Sequence, residues 1–188
     1  MSIVLKNILN DRNRLILKLY KYIKLKKINL SDVNKNYLKW VNDESLTRFT
    51  SIKKKISKDQ LKEYVVLNNK AKHVYLRKIL YKSKHIGNLR ISKLFGTSAT
   101  IGILIGEKKF HNKGIGTCSI RKGSVIAKKK GFKKIFIFLN KKNSQSIKIF
   151  KKNNFSICIK KPKNINLKNN EILLIKKFSK KLNDKKFI

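Results

Sequence analysis

The sequence predicts an α/β domain with a central, mostly antiparallel mixed sheet of about seven strands and helices on both faces. Three observations carry that expectation. Residues 74–105 read as three short strands joined by tight turns, the mark of an antiparallel meander. The apolar run Ile101-Gly102-Ile103-Leu104-Ile105 leads through the loop Phe110-His111-Asn112-Lys113-Gly114-Ile115-Gly116-Thr117 into a helical pattern. Lys133 to Leu139 is then almost continuously apolar, as expected of a strand buried on both faces.

Taken in order, residues 1–18 form an N-terminal extension, 19–178 the domain and 179–188 a basic tail. Leu19 to Leu25 alternates loosely with lysines and is expected as the first strand, with Tyr20, Tyr22 and Lys24 on one face. Ser31-Asp32 offers a helix cap before Val33, Tyr37, Leu38, Trp40 and Val41 at helical spacing, and Asn42-Asp43-Glu44-Ser45 breaks that helix. Ser57 caps a second, carrying Leu61, Tyr64, Val65 and Leu67. Strands follow at Val74–Tyr81, Ile86–Ile91 and Ala99–Ile105, turning at Lys82-Ser83-Lys84 and Phe95-Gly96-Thr97-Ser98. The helix from Ile115 ends near Lys130, with Gly131 as a left-handed cap. Asn143-Ser144 caps a helix carrying Ile147, Ile149 and Phe150, and Phe155–Ile159 and Ile172–Phe178 are the last strands.

At 188 residues, 41% of them hydrophobic, the chain can bury a real core. No apolar run approaches the roughly 20 residues that span a bilayer, and the N-terminus does not read as a secretory signal, so a cytoplasmic location is expected. Cys118 and Cys158 lack metal-site spacing, and no metal is expected. The net charge of +40 raises the question of nucleic acid. Lysine supplies nearly all of it, spread along the whole chain beside abundant Asn and Ile. That pattern reads as adenine- and thymine-rich coding sequence rather than as a selected Arg-and-aromatic interface. A lysine-rich nucleic-acid-associated module remains the competing class.

A strand, a glycine loop and a helix start together make a backbone cradle for phosphate. Free N–H groups and the helix dipole favour an anion there, and Gly114 and Gly116 allow backbone angles and close approach that side chains would block. Read alone, such a cradle suits a mononucleotide as well as a dinucleotide.

With Lys113-Gly114-Ile115-Gly116-Thr117 in this element order, the chain resembles the GNAT superfamily of acyl-CoA N-acetyltransferases. The likeness extends through Asn143-Ser144-Gln145-Ser146-Ile147-Lys148-Ile149-Phe150-Lys151-Lys152-Asn153-Asn154-Phe155. Tyr37 to Asp43 and His85-Ile86-Gly87-Asn88 resemble the subgroup around ribosomal-protein N-terminal acetyltransferases, whose relatives acetylate nucleotide-linked amino sugars. The resemblance implies a GNAT-like fold and acetyl-CoA as co-substrate. It implies that Ile103, Leu104 and Ile105 hold the pantetheine from a splayed strand and that Asn143 meets the same arm. His111, Asn112, Lys113, Gly114, Ile115, Gly116 and Thr117 would hold the pyrophosphate. A primary amine, on a protein N-terminus or an amino sugar, would attack the thioester directly.

The sequence also departs from the family. His111 stands where Gln or Arg commonly opens the loop, Cys118 where Glu commonly follows it, and Phe150 at the tyrosine usually proposed as thiolate acid. Phe150 has no proton to give, which keeps open a member that binds acyl-CoA without turnover. Glu107, at the mouth of the loop, is the acidic candidate for general base, weighed against a turn residue paired to Lys108 or Lys109. His111 is the second catalytic candidate, weighed against positioning backbone or phosphate. Cys118 sits near a helix N-terminus, where a thiolate is favoured. His73, His85, Tyr37 and Trp40 read as structural, Asn88 as strand packing or acceptor cleft, and Gly123 as a close helix–sheet contact.

Overall fold

The structure is a computed structural model that describes residues 17–52 and 54–179. Most of the N-terminal extension and all but Ser179 of the basic tail lie outside the described residues.

Seven strands form one sheet in the order β1-β2-β3-β4-β5-β7-β6. The strands are β1 (Ile23–Lys27), β2 (Val74–Tyr81), β3 (Lys84–Phe95), β4 (Ser98–Ile105), β5 (Lys134–Asn140), β6 (Ser156–Ile157) and β7 (Glu171–Lys177). The helices are α1 (Lys35–Asn42), α2 (Glu44–Thr47), α3 (Lys58–Lys70), α4 (Ile115–Lys129) and α5 (Ser144–Lys151).

The meander forms as expected, with β1 to β4 antiparallel throughout. The β2–β3 turn holds Lys82 and Ser83 at φ of 46° and 66°, so two non-glycine residues take left-handed angles between the paired Tyr81 and Lys84. Gly96 does the same, more easily, at the β3–β4 turn with φ 47°.

The sheet divides into two leaves. β4 pairs in parallel with β5 only at Ser98–Lys134 and Ala99–Ile135. Beyond that point β4 stays with β3 as far as Ile105, while β5 stays with β7 as far as Asn140. Residues 100–105 of β4 therefore present an open edge.

Each face carries its own core. On one, Ile115, Cys118, Ile120 and Ala127 of α4 pack with Leu89, Ile91, Ile101, Ile135 and Ile137 of the sheet. Gly123 makes this approach close, because a Cβ there would lie 3.0 Å from Leu89 Cδ1. On the other face, Tyr37, Trp40 and Val41 of α1 and Leu61 and Val65 of α3 pack with Leu76. Phe136, Leu173 and Ile165 make a third, smaller cluster under the loop between β6 and β7. β5 thus buries both faces, as its composition requires.

Three expectations are corrected and one, the break after α1, is extended. Residues 17–22 are helical and the first strand begins at Ile23, because the β2 pairing turns Ile23 and Leu25 inward and leaves Lys24 and Lys26 in solvent. The cap of α1 is Asn34, which accepts from Asn36 N–H and Tyr37 N–H, while Leu30–Asp32 make a separate single turn capped by Asn29. The segment that breaks α1 starts α2, since Asp43 accepts from Ser45 N–H. β6 spans only Ser156–Ile157, where β7 offers it two partners, Ile175 and Leu174. The Ser57 cap of α3, reciprocated by Gln60, the Asn143 cap of α5 and the left-handed Gly131 (φ 85°) stand where the sequence placed them.

Candidate active site

A cleft of about 640 Å³ opens where the two leaves part. Its walls come from both faces of the sheet. Ile101 and Ile103 of β4 belong to the α4 side, Thr100, Gly102 and Leu104 to the α1–α3 side, and all line the cleft. The split is therefore a passage through the sheet, with α4 and α5 at one mouth and the segment Ser45–Ser51 at the other.

At the α4 mouth the backbone is built for an anion. Gly114 is the N-cap of α4 at φ 78°, ψ −4°, and no side chain caps the helix. Among the described residues the N–H groups of Lys113 to Thr117 donate to no protein acceptor; the first α4 bond of this region runs from Cys118 N–H to Gly114 O. Unpaired amides in a first helical turn attract negative charge. Asn112, also left-handed at φ 58°, accepts a 3.2 Å bond from Gln145 of α5. Asn153, almost fully buried, donates to Thr117 O at 3.1 Å and Ile149 O at 2.9 Å, tying the first turn of α4 to α5.

The expected site residues divide into three groups. Ile103, Leu104, Ile105, His111, Asn112, Gly114, Gly116, Thr117 and Asn143 all line the cleft. Lys113 and Ile115 do not; Ile115 is buried in the α4-side core, where its side chain anchors the helix start. Glu107 also stands outside the lining, its carboxylate 4.0 Å from Lys84 Nζ and its N–H donating to Ile86 O.

His111 Nε2 donates to Ile105 O at 2.8 Å, since a carbonyl oxygen can only accept. That bond joins the loop to the end of the open strand and leaves Nδ1 with its lone pair. Among the described residues no carboxylate lines the cleft. Asp43 lies just before the lining segment and is committed elsewhere. The hydrogen bond from Lys108, with Ser45 adding a second, holds its carboxyl down to about 2.

For Cys118 the lowering of the thiol pKa expected at a helix start is overridden. Burial pushes its thiol up, and Arg121 and Lys122 offset that only in part. Tyr37 and Trp40 are core residues, both stacked edge-on against His85. Burial lowers the pKa of His85, and Asn88 Oδ1 at 3.0 Å opposes the shift. Gly106 lies under Trp40 so closely that a Cβ would overlap the indole. Phe150 lines the cleft, buried against Phe155.

The sequence reading missed the far mouth: Arg48, Thr50, Arg90 and Thr100 also line the cleft. Arg90 pairs with Gly102, and Thr100 lies two residues before that glycine, so both point to the α1–α3 face. That alternation was available as a signal. The Ser45–Ser51 contribution carried none. Among the described residues no group of three or more His, Cys, Asp or Glu is placed to hold a metal ion, and no helix is long and apolar enough to cross a membrane.

A mixed seven-stranded sheet that parts beside a glycine-started helix defines an acyltransferase-type α/β fold, and comparison with known proteins agrees. Residues 23–156 match the acetyltransferase (GNAT) domain, and the chain belongs to this family of acetyltransferases. A search of curated proteins finds no match. Among solved structures, a domain from Methanocaldococcus jannaschii is 24% identical with a TM-score of 0.68, covering 83% of this chain and 98% of that one. A RimL ribosomal L7/L12 alpha-N-protein acetyltransferase in complex with coenzyme A is 16% identical with a TM-score of 0.69, covering 83% and 94%. The Paia N-acetyltransferase from Thermoplasma acidophilum, in complex with coenzyme A, is 17% identical with a TM-score of 0.65, covering 83% and 99%. At these identities the structural likeness establishes the fold alone.

Proposed function

We propose that the protein transfers an acetyl group from acetyl-CoA to a primary amine by direct attack on the thioester. The observation that carries this is the parting of β4 from β5 beside the unpaired amides of the α4 start. An extended ligand with an anionic end fits there, its arm along the open edge of residues 103–105 and its pyrophosphate on the N–H groups of 112–117. Ile149 and Phe150 supply an apolar wall for the arm. Asn143 Oδ1 caps α5, so its Nδ2 is the group left to meet the pantetheine.

Within this reading the amine enters from the Ser45–Ser51 mouth and meets the thioester in the passage, where proximity supplies much of the rate. Among the described residues the lining holds no carboxylate and one imidazole, so His111 Nδ1 takes the proton lost by the amine, directly or through water. Glu107 is assigned no part, because it faces Lys84. Phe150 has no hydroxyl, so the departing thiolate, whose thiol ordinarily ionises near pH ~8.5, is protonated by solvent.

Gly114→Glu places a carboxylate among the α4 amides. It is expected to abolish the thermal stabilisation that coenzyme A gives the parent, with the far-ultraviolet circular dichroism spectrum unchanged. A variant stabilised as strongly as the parent overturns the pyrophosphate assignment. Acetyl transfer measured by thiol release then separates a catalyst from a binder.

A further inference from the structure

We propose that the acceptor is an amine carried on an anionic molecule, held by Arg90 through a phosphate or carboxylate on the far side of the passage from coenzyme A. This rests on the acetyl-CoA reading above and names the chemistry of the other half of the same site.

Arg90 sits on β3 opposite Gly102 of β4, so the two share the face that looks toward α3. Its head is fixed in place. Nε donates to Asn68 Oδ1 at 2.6 Å and Nη1 to Ser92 Oγ at 3.0 Å, and Asn68 and Ser92 are both buried. Neither partner is charged. Arg90 pairs with no carboxylate among the described residues, and the guanidinium has donors left over. A pre-oriented planar cation of this kind suits carboxylate and phosphate oxygens.

The space beside it is open. A Cβ added at Gly102 would meet nothing within 4 Å, so the glycine leaves a notch in the cleft wall next to Arg90. Arg48 lines the same mouth with its guanidinium over the Phe49 ring at 4.6 Å. Toward α5 the lining adds Lys142, Lys148 and Lys152. Asp43 and Glu44, the carboxylates nearest in sequence, stand outside the lining, and Asp43 is held by Lys108. A cleft with several cations and, among the described residues, no lining carboxylate repels polyamines and other polycationic amines, and concentrates anionic ones.

Acceptor panels test the assignment with 3-aminopropyl phosphate, 4-aminobutyrate, the neutral 3-amino-1-propanol and spermidine, each with acetyl-CoA. Coenzyme A stabilisation is read first on the same preparation, and its absence overturns the acetyl-CoA reading itself. With it present, the phosphate or the carboxylate acceptor is expected to exceed the neutral one in kcat/KM, with spermidine the poorest. The first two arms distinguish which anion is recognised. Arg90→Gln keeps a side chain able to reach Asn68 and is expected to cut the anionic-to-neutral ratio by about 10- to 100-fold, the range of a lost charge-assisted bond. Gly102→Asp puts a carboxylate in the notch and is expected to erase the same ratio while coenzyme A stabilisation persists. A neutral or polycationic acceptor that equals the anionic ones overturns the proposal, as does a ratio unmoved by both variants. So does failure of both 3-aminopropyl phosphate and 4-aminobutyrate either to react or to bind the coenzyme A-loaded protein in calorimetry.

Discussion

The two mouths of the passage are made of different material. In the proposed reading the groups that act at the α4 mouth are backbone: the amides that follow Asn112 and the open edge of β4, with Gly114 setting the angle. At the Ser45–Ser51 mouth they are side chains, chiefly Arg90 and Arg48, on elements that meet only because the sheet and α1–α3 fold over one another. A backbone site is held by helix geometry and changes little with residue identity. A side-chain site is set residue by residue, so the chemistry of the acceptor has to be sought on that side.

Three variants or conditions sharpen this contrast. The largest effect is expected from Gly106→Val. The added carbons must displace the Trp40 ring, because a Cβ alone would already overlap it. Overpacking of that kind costs about 3 kcal/mol, or a fall in melting temperature on the order of 10 °C. The damage falls on α1 and the segment it carries, so coenzyme A is expected to raise the melting temperature of the variant by as much as that of the parent. Loss of that shift would show that the two mouths are not separable.

Asn153→Leu comes next. It removes both hydrogen bonds to Thr117 O and Ile149 O, while Asn153 Oδ1, which has no hydrogen-bond partner among the described residues, relinquishes nothing. A stability loss of about 2 kcal/mol is expected. Coenzyme A stabilisation should weaken more than acceptor KM changes, because Asn153 positions the α4 start. An unchanged coenzyme A response would break the account of the α4 mouth as a rigid backbone site.

The smallest effect is in pH. The folded pKa of His85 lies below its ordinary 6.5 because burial disfavours the imidazolium. The unfolded chain then binds the proton more readily, and stability declines as pH falls below about 6.5. Asp43 acts at lower pH. Its carboxylate is favoured in the fold, so its contribution is complete above 3.8 and lost as pH falls toward about 2. Urea unfolding across this range should show both slopes, with His85→Asn flattening the first and Asp43→Asn the second.

Much of the fold was legible because it follows from local rules. The Ser57 and Asn143 caps, the Gly131 stop and the doubly buried β5 each depend on a few adjacent residues, and each stands where those residues put it. The first strand was misplaced by a residue pattern that fits either period. Leu19 and Tyr20 belong to a helical segment that packs against the α4-side core, and only pairing with β2 selects Ile23 as the strand start. The α1 cap was misplaced by three residues because Ser31, Asp32 and Asn34 are all competent caps. Most of the residues expected to hold the cofactor lie together along the cleft, yet Lys113 and Ile115 are not among its lining and Glu107 faces Lys84. A spacing pattern names the loop and leaves the direction of its side chains open.

By itself the sequence determined the meander, the glycine-started helix and the doubly buried β5, since these rest on backbone preferences and hydrophobic period read over short windows, while the family was legible through the resemblance of Lys113–Thr117 and Asn143–Phe155 to its motifs. The tertiary structure decided where β4 leaves β5, which side chains face the gap, and that Arg90 of β3 meets Asn68 of α3 beside the empty position of Gly102. Those contacts join residues far apart in the chain. Their geometry is set by how the two cores pack on opposite faces of one sheet, a long-range balance that no short stretch of sequence records.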